Sequence, residues 1–370
     1  MNFQGHNIKT LVIKIGSNVL ADEITLRADF FKKLACCVNA LRDDGVRVLI
    51  VSSGASATAM SVLGKKQRPQ SIPEKQAFAA IGQPLLMDQY LKVFQNVRLA
   101  QVLLTHDDVT NRRRFLNAKN TLAELLNRQV LPIINENDTV AVDEIKFGDN
   151  DRLSAAVAQL VEADLLLILS HVDGLYDADP HLNPNSQVIE RVTHVDDSVR
   201  QYLFHGADPR SVGGMATKLM AAQSCMEFGI PVFITNGLKD DVFENLLKGK
   251  KIPGTYFEPS GTPLAARKIW IGHVLKEKGR LVIDDGARAA LVDKGRSLLP
   301  AGVLKIEGDF HRGDCVGIYE TSGKLVARGL VDYSCIEVEK IKNHQSSAIE
   351  KILGYSYSDV VVHRDNLVIL

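Results

Sequence analysis

Six short apolar runs recur between residues 9 and about 260, and they restrict the fold more than any other feature of the chain. They are Leu11–Ile15, Val46–Val51, Ala100–Leu104, Val130–Ile134, Leu165–Leu169 and Val232–Thr235, with helical patterns such as Leu26–Leu41 and Ala118–Leu126 between them. A strand that is apolar on both faces has none to give to water, so it belongs in a sheet covered from both sides. Helix-length crossovers let such strands run parallel, which predicts an α/β architecture: an open, mostly parallel sheet sandwiched by helices. Right-handed crossovers then gather the loops that follow the strands along one sheet edge, where α/β proteins bind their ligands.

Beyond Pro263 the helix-length gaps largely disappear. Arg280–Asp284, Val303–Glu307, Cys315–Glu320, Leu325–Tyr333 and Asp359–His363 read as short strands, punctuated by glycines and a Thr321-Ser322-Gly323-Lys324 turn. A small, mostly β domain therefore follows the first. The division reads as residues 1–260 for the α/β domain, 261–276 for a linker, 277–356 for the β domain and 357–370 for a C-terminal strand or tail. A length of 370 residues suits this organisation.

Charge and composition exclude several classes of function. Lys and Arg number 44 and Asp and Glu number 44, so the chain has no surplus with which to coat nucleic acid or an anionic membrane. No apolar run approaches the roughly 20 residues that span a bilayer. The opening MNFQGHNIKT lacks the apolar core of a signal peptide, so the expectation is a cytoplasmic protein. Five cysteines with no CxxC pair give neither a disulfide framework nor a zinc site, and Cys36 and Cys37 read as packing residues.

The chemistry-bearing residues gather where the runs end. Lys14 interrupts an apolar strand and is followed at once by Gly16-Ser17-Asn18. An unpaired buried ammonium is costly, so this lysine reads as the partner of an anion, with phosphate favoured over an edge-strand position. Ser52-Ser53-Gly54-Ala55 can hold carboxylate oxygens through hydroxyls and backbone N–H groups. Asn135-Glu136-Asn137-Asp138 ends another run, and Gly148-Asp149-Asn150-Asp151 follows ten residues later. Seven amides and carboxylates there exceed what loop solubility requires, although Asp149 or Asp151 is also expected to cap a helix beginning near Leu153. Gly213-Gly214-Met215-Ala216-Thr217-Lys218 reads as a glycine pair leading into a helix whose N-terminus attracts anions. Neither GxxxxGK[ST] nor GxGxxG occurs, so nucleotide binding would need another arrangement.

Taken together, VIKIGSNVL, IVSSGA, RFLNAKNTL, PIINENDTVA, EIKFGDND, DGLYDADP and VGGMATK, in that order, resemble the glutamate 5-kinase family of the amino acid kinase superfamily. DDGARAALVDKGRSLLPAGV, GDFHRGDCV and ILGYSYSDVVVHRDN continue the resemblance through a C-terminal PUA domain. The resemblance implies the amino acid kinase fold and transfer of the γ-phosphoryl group of ATP to the side-chain carboxylate of L-glutamate, the first step toward proline. It places Lys14 near the transferring phosphoryl and Lys218 on the nucleotide phosphates, with Asp151 orienting both lysines. It assigns glutamate to Ser53, Asp138 and Asn150, with Gly54 and Asn135 nearby, and the nucleotide also to Ser170, His171, Val212, Gly213, Gly214, Met215, Ala216 and Thr217.

Mg²⁺ is implied on the ATP phosphates rather than in a cage of protein ligands, so no residue is assigned to metal. The resemblance further implies inhibition by L-proline, a homo-oligomer (dimer or tetramer) and channelling of the product to glutamyl phosphate reductase. The chain departs from the family pattern at Ser170-His171, where Thr-Asp is usual, and at Ser211-Val212 before the glycine pair. Both departures bear on ATP affinity or base preference. A kinase acting on aspartate or N-acetylglutamate is the nearest rival, disfavoured by the NEND–GDND pair and the PUA domain. An RNA-directed reading of the PUA domain is disfavoured by 13 Lys and Arg against 14 Asp and Glu in residues 277–370.

Overall fold

In the computed structural model the described residues are 1–370 except 23–24, 66, 68, 142–148, 179, 181, 197–198, 200–208, 260 and 262–274; for 112–113, 149 and 209–213 the backbone alone is described. Most of the expected linker, 261–276, lies outside the described residues. The chain divides into two compact units, Met1–Thr110 with Asn117–Ser260, and Asn111–Leu116 with Gly261–Leu370.

The elements follow in this order: β1 (Asn2–Phe3), β2 (His6–Asn7), β3 (Thr10–Ile15), α1 (Ser17–Leu20), α2 (Ala28–Asp43), β4 (Arg47–Ser52), α3 (Ala55–Leu63), α4 (Ile72–Val93), β5 (Leu99–Leu104), α5 (His106–Thr110), α6 (Arg112–Asn127), β6 (Leu131–Glu136), α7 (Asp149–Leu160), β7 (Leu165–Ser170), β8 (Arg191–Val192), α8 (Pro209–Glu227), β9 (Val232–Asn236), α9 (Val242–Leu247) and β10 (Thr255–Phe257). Among the described residues, eight strands form one sheet in the order β5-β6-β4-β3-β7-β9-β10-β8. β5 through β9 are mutually parallel across their neighbours, while β10 runs antiparallel to β9 and parallel to β8.

Each of the six apolar runs is a strand within a residue or two of its expected position. β3, β4, β6 and β7 are almost wholly buried, as strands covered on both faces must be. Alternation along β3 sends Leu11, Ile13 and Ile15 into one core with Phe31, Leu34 and Val38 of α2 and Leu86 and Tyr90 of α4. Lys14 therefore faces the other way, in the middle of a central strand, opposite Val51 of β4 and Ile168 of β7. Cys37 is buried as its packing role requires, whereas Cys36 on the next α2 position is exposed.

The second unit holds a five-stranded sheet in the order β12-β11-β13-β14-β15, from β11 (Gly279–Ile283), β12 (Val303–Gly308), β13 (Cys315–Glu320), β14 (Leu325–Val331) and β15 (Val362–Ile369). The last strand begins later and runs longer than the pattern Asp359–His363 suggests, because its alternation continues through Leu367 and Val368 against β14. Three short helices, α10 (Asp285–Val292), α11 (Cys335–Ile341) and α12 (Ile349–Leu353), complete its core around Phe310 and Tyr333. Ser334 and Glu337 close a reciprocal capping box at the start of α11.

One contact fixes how α4 meets α3. Gly82, inside α4, lies so close to the first turn of α3 that a Cβ there would sit 1.7 Å from the Ala55 carbonyl oxygen. The obstacle is backbone, so a side chain cannot simply rotate away. Gly82→Ala is expected to destabilise the first unit by about 3 kcal/mol or more, read as a lowered midpoint in urea denaturation.

Candidate active site

Three elements bring three charged side chains to one point. Lys14 comes from β3, Asp151 from the first turn of α7 and Lys218 from α8. Lys14 Nζ lies 2.5 Å from Asp151 Oδ1, and Lys218 Nζ lies 3.2 Å from Oδ2. All three are buried, with Asp151 only 1% exposed. Thr217 donates its hydroxyl to Asp151 Oδ2 at 2.7 Å, and Lys218 also donates to the Gly214 carbonyl at 3.0 Å.

Burial alone would raise the Asp151 carboxyl, but the Lys14 and Lys218 ammoniums and the Thr217 hydroxyl outweigh it and hold it below the usual carboxylate range. Lys218 is held below the ordinary lysine value, chiefly by burial and then by Lys14. Two cations share one anion, so the cluster retains a net positive charge in a region of low dielectric. A site of that kind attracts an anion.

Two local expectations are corrected. α7 begins at Asp149, not near Leu153, so Asp151 lies in its first turn and turns its carboxylate to the lysines instead of capping the helix. The glycine pair does not precede a helix N-terminus. α8 starts at Pro209, and Gly213 and Gly214 lie within it, where their N–H groups sit in the helical ladder. The anion attraction at this helix thus comes from Lys218 rather than from free N–H groups. Val212 and Gly213 are in α8, but the surroundings of their side chains lie outside the described residues. A Cβ on Gly214 would meet nothing within 4 Å, so its surface is open.

β7 ends in Ser170, buried with a hydroxyl that has no partner among the described residues, and its neighbour His171, on the surface, has a pKa lowered by partial desolvation and then by Lys218 and Lys14. His171 is therefore a neutral ring within the field of both lysines.

A second cluster lies at the ends of β4 and β6. Asn150 donates through Nδ2 to Ser53 Oγ and to Asn135 Oδ1, each at 3.0 Å. Asn135 in turn donates to Gln83 Oε1 at 2.8 Å, and Gln83 donates to Gln101 at 3.2 Å. The Asn150 Oδ1 atom is buried and has no hydrogen-bond partner among the described residues. Gly54 caps α3 with φ of 103°, the left-handed region that suits glycine, and brings Ser53 to the mouth of the cluster. Asp138 lies half-buried in the turn after β6. Asn150 and Asp151 are adjacent on α7, so the amide cluster and the charged cluster share one helical turn. Met215 and Ala216 lie on α8, half-buried, between Gly214 and Thr217.

Gln83 is the site residue that sequence reasoning missed. Its signal was present: Gly82-Gln83-Pro84 is a poor helix interior by propensity, yet it sits in the middle of α4. Also unforeseen is the Asp173 cluster after β7, where Lys239 donates at 2.8 Å and Asn236 at 3.0 Å. Burial would raise Asp173, but these donors and Tyr176 lower it.

Comparison with known proteins places these sites in context. Residues 9–236 match the amino acid kinase family, and residues 279–353 match the PUA domain. A glutamate 5-kinase of Thermoanaerobacter sp. (strain X514) is 48% identical over 363 residues, 97% of each chain. The glutamate 5-kinase of Geobacter metallireducens is 49% identical over 366 residues, 98% of each chain. Among solved structures, a carbamate kinase from Giardia lamblia bound to AMP-PNP aligns with a TM-score of 0.50 at 16% identity, over 68% of this chain and 99% of that one; this is a likeness of fold. Among the described residues no helix is long and apolar enough to cross a membrane.

Asp151→Asn tests the charged cluster directly. The variant keeps the shape and leaves two buried ammoniums without their carboxylate, a loss of about 3–5 kcal/mol at neutral pH. Lys218 is already below its ordinary value, and without Asp151 it falls further. The folded variant then binds fewer protons than its unfolded chain, so its stability rises with pH toward about 10.4 and the deficit narrows. Below about 3.9 the deficit shrinks for a different reason, because the depressed Asp151 carboxylate of the parent protonates as pH falls through its folded pKa. Urea denaturation of both proteins across pH checks each arm.

Proposed function

The chain belongs to the amino acid kinase family and, within it, to the glutamate 5-kinases, and on that premise we propose how its residues carry out the reaction. A glutamate 5-kinase phosphorylates glutamate, the entry to proline biosynthesis. The acceptor here is the side-chain carboxylate, and the donor is the γ-phosphoryl group of ATP. A carboxylate with a pKa of about 4.3 is ionised at neutral pH, so the reaction needs no general base. What it needs is two anions aligned against their mutual repulsion, with cover for the charge spread over the migrating phosphoryl.

The observation that carries this reading is the pair of ammoniums sharing Asp151, one helical turn from the amide cluster. Lys14 covers the transferring phosphoryl and Lys218 the nucleotide phosphates. Asp151 fixes both by its two oxygens and is a positioning residue. Ser53, Gly54, Asn135 and Asn150 hold glutamate, with the unsatisfied Asn150 oxygen available to a substrate N–H. Asp138 pairs with the α-ammonium. Ser170 and His171, with residues 212–217 of α8, line the nucleotide. A neutral imidazole accepts or donates one hydrogen bond without the repulsion that an added carboxylate would bring to the phosphates.

The buried carboxylate at the phosphate site, Asp151, is already engaged by two lysines and Thr217, which suits Mg²⁺ held by the ATP phosphates instead. Bound there, Mg²⁺ would neutralise charge on the β- and γ-phosphates. Proline shares the α-carboxylate and a protonated α-nitrogen with glutamate but lacks an acceptor carboxylate. It fits the glutamate head-group contacts and holds the site unproductively. We place the enzyme in the cytoplasm as a homo-oligomer, dimer or tetramer. Its acyl phosphate product is labile in water, which favours direct transfer to glutamyl phosphate reductase. In this reading residues 1–260 form the catalytic domain, 261–276 a linker and 277–356 the PUA domain, whose sheet β15 of the C-terminal segment 357–370 joins.

The reaction is tested by incubating the enzyme with ATP, Mg²⁺, L-glutamate and hydroxylamine, which traps an acyl phosphate as a hydroxamate. Hydroxamate should form with L-glutamate and not with L-aspartate or N-acetyl-L-glutamate. Lys14→Ala should lower kcat by about 10²–10³, the scale of one preorganised charge-stabilising group, with a much smaller change in KM for glutamate. A folded variant with near-normal kcat would remove Lys14 from the chemistry.

Asp138→Ala should weaken glutamate by roughly 1.5–3 kcal/mol, a lost charge-assisted hydrogen bond, and leave ATP binding in place. If proline shares the site, the same substitution weakens it in parallel, and glutamate shifts the proline inhibition curve to higher concentration by linkage. Proline inhibition insensitive to glutamate would point to a separate pocket.

A further inference from the structure

Gln76, Gln83 and Tyr90 of α4 are spaced seven residues apart, so they fall on nearly one face of the helix, drifting by about 20° per step. Each makes a hydrogen bond off the helix, and each bond reaches a different segment of the amide cluster's surroundings. Gln76 donates through Nε2 to the Ala141 carbonyl at 3.2 Å. Ala141 closes the turn that carries Asp138, where the Val140 and Ala141 N–H groups both donate to the Asn137 carbonyl at 3.1 Å. Gln83 accepts from Asn135 Nδ2 at 2.8 Å and donates to Gln101 Oε1 at 3.2 Å. Tyr90 donates to Ser52 Oγ at 2.7 Å, and Ser52 Oγ donates to the Ser53 carbonyl at 2.9 Å.

One backbone group sets which way the amides point. The Glu136 N–H can only donate, and it meets Asn135 Oδ1 at 2.9 Å. With that oxygen fixed, Asn135 turns Nδ2 to Gln83, which must present Oε1 there and Nε2 to Gln101. Asn150 donates to the same Asn135 oxygen at 3.0 Å. Gln83 therefore holds the far end of the amide on which Asn150 rests. Asn135 is 2% exposed, so an apolar side chain at position 83 would leave a buried N–H unpaired and free the amide to turn. Tyr90 is wholly buried against Phe31 and Phe94. A phenylalanine would serve that ring packing, and what the hydroxyl adds is the bond to Ser52.

We propose that α4 is the positioning element for the amino-acid acceptor. Gln83 sets Asn135 and, through it, Asn150, while Gln76 holds the Asp138 turn and Tyr90 the Ser53 backbone. This inference rests on the glutamate placement proposed above. All three are positioning residues, acting from behind the groups assigned to contact glutamate. Lys14, Asp151 and Lys218 are held by one another and by Thr217, so the loss of an α4 bond falls on glutamate and spares ATP.

The test measures hydroxamate formation by the full chain and by its Gln83→Met, Tyr90→Phe and Gln76→Leu variants, with glutamate and ATP varied in turn. Methionine keeps the length of Gln83 and phenylalanine the ring of Tyr90, and urea midpoints identify the variants that fold. Gln83→Met should raise KM for glutamate about tenfold, and each of the other two about threefold, the scale of one lost hydrogen bond. Both kcat and KM for ATP should stay within about twofold of the parent's, because the charged cluster keeps its own bonds. In an Asn135→Ala background, Gln83→Met should change the glutamate KM by less than about twofold, since its effect passes through Asn135. A role in packing alone would keep its full effect there. A folded Gln83→Met variant with an unchanged glutamate KM, an equal rise in KM for ATP, or full additivity with Asn135→Ala would overturn the proposal. If Gln83→Met does not fold, an unchanged glutamate KM in Tyr90→Phe overturns it. A parent chain that forms no hydroxamate from glutamate would instead overturn the kinase reading, and with it the site that α4 serves.

Discussion

Two lysines and one aspartate, nearly dry, form the interaction on which the first unit of this chain depends. Neither ammonium could be buried alone at acceptable cost, and Asp151 offsets only one unit of the two. The geometry that results is tightly specified. β3 must present Lys14 away from the α2–α4 core, α7 must begin early enough to place Asp151 in its first turn, and α8 must pass close enough for Lys218 to reach. The remaining positive charge is a standing demand for an anion, and a phosphoryl group is the anion that a kinase supplies. In the proposed mechanism, stability and function are thus coupled through a single carboxylate.

The second cluster, where we propose that glutamate binds, is built chiefly from neutral amides. Gln101, Gln83, Asn135, Asn150 and Ser53 form a chain of hydrogen bonds that crosses from β5 and α4 to β6, α7 and β4. Amide chains fix orientation without adding charge, which suits the proposed pocket, where the two carboxylates of glutamate lie beside a polyphosphate. The close approach of Gly82 to Ala55 holds α4 where Gln83 can enter that chain. Packing between two helices therefore supports the amide cluster. Because Asn150 and Asp151 are consecutive on α7, a shift of that one helical turn would disturb the amide cluster and the charged cluster together.

Much of the fold was legible from the sequence, because burial on both faces leaves a local mark. The runs LVIKI, LLLIL and VFIT are strands for the reason their composition suggests. Lys14 was legible too, since a lysine inside such a run violates the pattern and requires an anionic partner. The NEND and GDND segments were conspicuous by their density of amides and carboxylates. Helix boundaries were less legible. Asp149 and Asp151 carry the signature of a cap, and Gly213-Gly214 carries that of a helix entrance, but all four residues are already helical.

The sequence by itself determined the strands, the two textures of its parts and the clustering of charged and amide residues where the strands end. Each of these is set by near neighbours along the chain, through alternation, propensity and the cost of burying charge. Only the tertiary structure decided which residues meet. The lysines that share Asp151 are 137 and 67 positions from it, and the two ends of the Gln83–Asn135 bond are 52 apart. No local pattern encodes such pairings. They follow from strand order in the sheet and from the helical phase at which α4, α7 and α8 cross it, quantities that exist only once the whole core has packed.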